Sequence, residues 1–237
     1  IAMYVKRPFG EKLNASFDFL KENWKLLLKF TTYLLLPLCL IQALSLNGLM
    51  SGALSISAIA SSTAMAASSS SLIAFGSYYG LYMFLYLIGI ILLTSLVYGL
   101  IRTYNEREER LQGVTLGMLK PRLFRNIKRL LLMTGACILL VLFVGIFVGL
   151  LVALTPFTLF LTIPFIIAFS VPLALLAPIY LFEDITLMEA FKKTFRLGFA
   201  TWGGVFLVSL LMGIIANVLQ GVTTVSYTHL TLPTTSR

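Results

Sequence analysis

Histidine, cysteine and acidic residues are scarce in this chain, and each shortage removes a class of chemistry. One His and two Cys occur among 237 residues, and Cys39 and Cys137 each sit mid-run in apolar sequence. No Cys or His pair stands at the spacing a zinc site needs, and a disulfide framework needs more thiols in a short secreted chain. The two cysteines are therefore expected as buried thiols that pack as small hydrophobes. The nine acidic residues all lie outside the apolar runs. That leaves no carboxylate for an intramembrane acid–base pair or for ion coupling. The Gly-Lys-Ser/Thr phosphate loop and the Gly-x-Ser-x-Gly nucleophile elbow are missing. The chain is expected to be non-enzymatic, with no catalytic residue, cofactor or metal.

Charge itself is absent over long distances. Lys29 to Arg102 encloses 72 residues without Asp, Glu, Lys or Arg, and Arg129 to Glu183 encloses another 53. A charge at the bilayer centre costs about 2.5–3.5 kcal/mol, so lipid selects such stretches. Hydrophobic residues make up 59% and charged residues 11%, against roughly 45–50% and 25% in soluble domains. A net charge of +9 would suggest nucleic acid in a soluble protein. Here the basic residues flank apolar runs, so the expected partners are the bilayer and its anionic headgroups, with no nucleic acid.

What is present reads as an all-α, polytopic membrane helical bundle. Five runs, about 30–50, 72–101, 130–154, 157–182 and 203–224, reach the roughly 20 residues that cross about 30 Å of hydrocarbon. Segments 1–29, 102–129 and 183–202 hold every basic residue except Arg237. The positive-inside rule places these segments, and the N-terminus, in the cytoplasm of a bacterial inner membrane. The first run exceeds the 7–15 residues of a signal-peptide core and is expected to stay in the chain. Met3 is read as the start. Val225-Ser-Tyr-Thr-His-Leu-Thr-Leu-Pro-Thr234 matches, codon by codon, the translation of a transposase-based sequencing adapter. A single native membrane domain is accordingly expected over 1–224, with 225–237, including His229, Pro233 and Arg237, non-native and a sixth span lost.

The charged segments repeat. Aligning the two tryptophans, Trp24 and Trp202, sets Leu13-Asn-Ala-Ser-Phe17 against Phe191-Lys-Lys-Thr-Phe195. Leu13, Phe17, Leu20 and Trp24 form one apolar stripe; Leu187, Phe191 and Phe195 form another, with Lys192, Lys193 and Arg196 facing away and Thr186-Leu-Met-Glu189 as a capping box. The middle segment echoes them with Leu119, Leu123 and Ile127 opposite Arg122, Arg125 and Arg129. Three short interfacial helices are expected in the cytoplasmic headgroup layer, with Trp24, Trp202, Lys192, Lys193 and Arg196 at the membrane interface.

Between the first two spans, the Ser/Ala-rich external connection 51–71 reads as a flexible linker, a small-residue helix being the alternative. Gly76-Ser-Tyr-Tyr-Gly80 and Gly145-Ile-Phe-Val-Gly149 are patterns that permit close packing inside the chain. Pro164 and Pro172 are each expected to free a carbonyl and kink the fourth span, whereas Pro156 and Pro178 lie near its ends. Thr162 and Ser170 are expected to bond back to the freed carbonyls.

Residues 177–198, from Ala177-Pro-Ile-Tyr to Phe-Arg-Leu-Gly198, followed by Trp202, resemble the membrane domain found beside glycerophosphoryl diester phosphodiesterases and related multi-span bacterial proteins. Pro178, Glu183, Glu189, Ala190, Lys192, Lys193, Thr194 and Trp202 carry the resemblance, over about 45 residues. It implies a membrane module without hydrolase activity, since no phosphodiesterase domain accompanies it. The alternative is a permease subunit of a small-molecule or lipid transporter. The Glu-Ala-Ala docking motif of ATP-driven permeases is imperfect here, because Phe191 follows Glu189-Ala190.

Overall fold

The computed structural model describes residues 8–61 and 69–231 and is helical throughout its regular structure. Its elements are α1 (Phe9–Ser61), α2 (Ser69–Glu106), α3 (Leu116–Leu154), α4 (Thr158–Leu173), α5 (Leu176–Phe182), α6 (Leu187–Ala200) and α7 (Trp202–Thr231). The chain is all-α. Five runs are long and apolar enough to cross a membrane, namely Phe9–Leu54, Ile73–Glu106, Leu116–Leu154, Thr158–Phe182 and Trp202–Val225. Large side chains such as Phe143 and Phe160 stand 71% and 86% exposed, which is what lipid-facing helices present. Residues 1–136 and 137–237 form two compact units.

In the first unit α1 and α2 form an antiparallel pair. Gly48 faces Tyr78, Gly52 faces Phe75, Gly89 faces Leu38 and Glu22 meets Tyr104, so numbers fall along one helix as they rise along the other. Gly48 sits so close to the Tyr78 ring that an added Cβ would overlap it. The start of α3 returns along α2, with Asn126 reaching the Ser95 carbonyl and Arg122 reaching Thr103. A core of Phe19, Phe30, Leu96, Leu100, Tyr104, Leu111, Val114 and Leu119 fills this charged end.

In the second unit α6 packs back along α4 and α5. Its N-terminus carries the expected capping box, with the Thr186 hydroxyl accepting from the Glu189 amide and Glu189 accepting from the Thr186 amide. Asp184 adopts φ +54° in the preceding turn, a left-handed conformation that aspartate tolerates.

Several expectations need correction. Residues 51–61 are helical, extending α1, because Ala, Leu and Ile favour a helix that has already nucleated; 62–68 lie outside the described residues. The first two amphipathic segments are not separate interfacial helices. They are the opening turns of α1 and α3, since no breaker divides them from the spans that follow. α4 runs as one helix through Pro164 and Pro172, and the fourth span has in addition a break at Ala174–Leu175 that the sequence pattern did not place. Its cause is Pro178, which has no N–H for the Ala174 carbonyl. Ala174 and Leu175 instead donate three residues back, to Val171 and Pro172. Gly76, Gly80, Gly145 and Gly149 face open space, so they mediate no close crossing within the described chain. Cys39 is exposed and Cys137 half-buried, since each lies on a helix face with little protein beside it. The fifth expected run is matched by Trp202–Val225, within a helix described to Thr231, while Met3 and 232–237 fall outside the described residues.

Gly198 of α6 is the closely packed glycine of the second unit's described residues, since an added Cβ would lie 2.6 Å from Pro172 Cα. Overpacking of this kind costs about 1–3 kcal/mol. Gly198→Ala is expected to lower the unfolding midpoint in mild detergent. Gly145→Ala, in open space, should leave it equal or raise it by up to about 1 kcal/mol of helix propensity. Equal midpoints for the two variants would sink the assignment of Gly198 as a packing constraint.

Candidate functional site

The joint in the second unit is built from backbone chemistry. Pro172 lacks an amide hydrogen, which leaves the Ala168 carbonyl without its helical donor. The Trp202 indole fills that role, with Nε1–H donating to the Ala168 oxygen at 3.0 Å. Four residues before Trp202, Gly198 lies against the Pro172 ring. Ala190, Thr194 and Gly198 make the buried face of α6, two of them small enough for α6 to approach closely. Phe169 of α4 meets Phe195 and Phe199 edge-on at 5.9 and 5.4 Å. At the far end Lys193 pairs with Glu183. Seven residues of the 178–202 stretch therefore hold structural positions: Pro178 in α5 after the break, Glu189 in the cap, Ala190 and Thr194 in the packed face, Lys193 and Glu183 paired, and Trp202 on the freed carbonyl, whereas Lys192 is exposed.

Thr162 and Ser170 need a correction. Thr162 donates to Thr158 and Leu159, and Ser170 donates to Ile167. Neither reaches Phe160 or Ala168, the carbonyls that Pro164 and Pro172 release, because a short hydroxyl side chain reaches back three or four residues from its own position.

A different arrangement occupies the charged end of the first unit. Glu22 accepts from the Tyr104 hydroxyl at 3.1 Å and pairs with Arg110 at 3.0 Å. The Arg110 guanidinium also lies over the Tyr104 ring, 5.3 Å from its centre. This ties the 107–115 turn to α1. Next to it, Glu106 takes Arg102 Nε at 2.8 Å and pairs with Arg122, whose other nitrogen donates to Thr103 Oγ1 at 3.1 Å. Asn126, buried on α3, donates to the Ser95 carbonyl at 3.2 Å. Together Gly99, Arg102, Glu106, Arg122, Arg125 and Asn126 line a cleft of about 200 Å³.

The sequence-predicted interface residues are dispersed. Trp24 is 55% exposed with Lys25 near its ring. Lys192 and Arg196 are exposed on α6, and Lys193 is half-buried in its pair with Glu183. Sequence reasoning missed the cleft. Its signals were the Arg102–Glu106 spacing of four and Asn126, an amide between Leu119 and Leu130 on the packed face of α3. No family model, curated protein or solved structure matches the chain.

The Trp202 bond is testable by a double-mutant cycle. Trp202→Phe keeps the ring and loses the donor, and should cost about 1 kcal/mol or more, since the Ala168 carbonyl is left unsatisfied. Pro172→Ala restores an amide hydrogen to that carbonyl. In the Pro172→Ala background, Trp202→Phe should therefore cost markedly less. Strictly additive effects on detergent unfolding would show that the indole and the proline are not coupled through Ala168.

Proposed function

We propose that the chain is a non-enzymatic, multi-span membrane module of the kind that accompanies glycerophosphoryl diester phosphodiesterases, set in a bacterial inner membrane with its N-terminus cytoplasmic. One observation carries this reading above the permease alternative. A transporter places a broken helix at mid-depth so that its unwound backbone and polar side chains serve a substrate. Here the carbonyl that Pro172 frees is engaged by the protein itself. Trp202 takes the Ala168 carbonyl, Gly198 closes on Pro172, and the hydroxyls of Thr162 and Ser170 bond within their own helix. The joint thus serves folding. The charged segments then sit against anionic headgroups on the cytoplasmic face, with no nucleic-acid partner and no cofactor.

The antiparallel pairing of α1 and α2 supports placing 1–29 and 102–129 on one side, since Glu22 meets both Tyr104 and Arg110. Single cysteines at Ser69 and Glu108, in a Cys39→Ala, Cys137→Ala background, test the orientation. An impermeant thiol reagent should label position 69 in intact cells and position 108 only after lysis. The reverse pattern would overturn the orientation. For the molecular role, a tagged full-length protein purified from its source membrane should bring no ATPase activity with it; a stoichiometric ATPase would establish the permease reading instead.

A further inference from the structure

The geometry points to a neutral-lipid site on one flank of the α1–α2 pair, taking the glycerol ester group of a diacylglycerol. Cys39, Gln42, Ala43 and Leu46 of α1 and Tyr82 and Tyr86 of α2 line a groove of about 330 Å³. The α1 residues fall at i, i+3, i+4 and i+7 and the two tyrosines stand four apart, so each set shares one helix face. Ala43 leaves space between the longer side chains.

Three polar side chains in this groove find nothing to bond within the protein. Among the described residues, the Gln42 amide and the Tyr82 and Tyr86 hydroxyls make no hydrogen bond. Ser45, one turn from Gln42, is by contrast satisfied, donating to the Ile41 carbonyl at 3.1 Å. Gln42 lies about 20 Å along α1 from Lys29, and Tyr86 and Tyr82 about 24 and 30 Å along α2 from Arg102, at a rise of about 1.5 Å per residue. Measured from these last charged residues, the groove occupies the far third of a hydrocarbon layer about 30 Å thick. Water is scarce at that depth, and an amide there needs a partner from outside the pair.

The donors and acceptors select the ligand. The groove presents an amide and two hydroxyls without any charge. No Asp, Glu, Lys or Arg occurs between Lys29 and Arg102, so a phosphate would meet no cation from α1 or α2 at this end. The complementary molecule is uncharged, with carbonyl oxygens to accept and a hydroxyl to donate. A diacylglycerol carries two ester carbonyls and one hydroxyl. Its chains would run toward the middle of the layer along Ile90 and Leu93, which continue the tyrosine face at i+4 and i+7 from Tyr86 and are exposed. This placement rests on the reading of α1 and α2 as membrane spans.

The test uses the full chain in a neutral detergent, titrated with dioctanoylglycerol, its dioctyl ether analogue or dioctanoyl phosphatidic acid. Lipid adducts in native mass spectrometry and thermal unfolding are the readouts. Dioctanoylglycerol should bind most tightly and stabilise most. The ether lacks both carbonyls and phosphatidic acid brings a charge, so each should bind about fivefold more weakly or worse. Gln42→Leu and Tyr86→Phe should each reduce dioctanoylglycerol affinity about fivefold, typical of one lost hydrogen bond, and should leave the ether's affinity nearly unchanged. Tyr33→Phe, at an exposed tyrosine of α1 outside the groove, should change nothing. Equal binding of dioctanoylglycerol and either analogue, or equal losses in Tyr86→Phe and Tyr33→Phe, would overturn the proposal. So would a dimer that Gln42→Leu disperses and dioctanoylglycerol does not, since the groove would then belong to a second copy. If Gln42→Leu fails to fold, the comparison of Tyr86→Phe with Tyr33→Phe decides in its place. Labelling at positions 69 and 108 tests the spans independently, so failure of the site and failure of the topology give different results.

Discussion

A backbone carbonyl in apolar surroundings must find a donor, and the second unit is organised around one that lost its own. Pro172 strips the Ala168 carbonyl of its helical partner, and with little water at hand the cost of leaving it bare is several kcal/mol. The Trp202 indole repairs the loss from outside the helix. That single bond fixes where α6 must end and α7 begin, because the indole reaches Ala168 only if the preceding turn lies along α4. The Gly198 contact with Pro172 follows from the same approach, as does the run of small and medium side chains at Ala190 and Thr194. A proline that would weaken an isolated span becomes the seat for the next helix.

The first unit solves a different problem, the placement of charge. Its ionisable groups gather at one end of the α1–α2 pair, in two clusters. Glu22 with Tyr104 and Arg110 binds the connecting turn to α1, while Glu106 spans two arginines between α2 and α3. Exposed ion pairs of this sort contribute little singly. Their arrangement matters more, because it ties the 107–115 turn to α1 and the start of α3 to α2.

Much of the fold was legible in the sequence. Charge-free runs mark the five apolar spans because lipid penalises charge irrespective of tertiary detail, and the Thr186–Glu189 box marks the start of α6 because its two hydrogen bonds are local. The misreadings have physical causes as well. Helix boundaries at 29–30 and 129–130 were inferred from a change in polarity, but polarity alone does not stop a helix, and α1 and α3 run straight through. The break at Ala174–Leu175 was not anticipated, since Pro178 lies near the end of the span and its effect falls on the turn before α5. The Arg102–Glu106–Arg122 cleft joins residues far apart in the chain, and only the return of α3 along α2 brings them together.

The placement of the two tryptophans has a practical consequence. Trp24 belongs to the first unit, where it is largely exposed, and Trp202 to the second, where it is half-buried and hydrogen-bonded. Each compact unit thus carries one tryptophan, and the two indoles sit in different surroundings. Excited beyond the tyrosine absorption band, emission from the protein is a sum of two reporters that can be read one at a time by silencing the other. The order in which the units come apart, or their loss of structure in concert, is thereby observable without any added label.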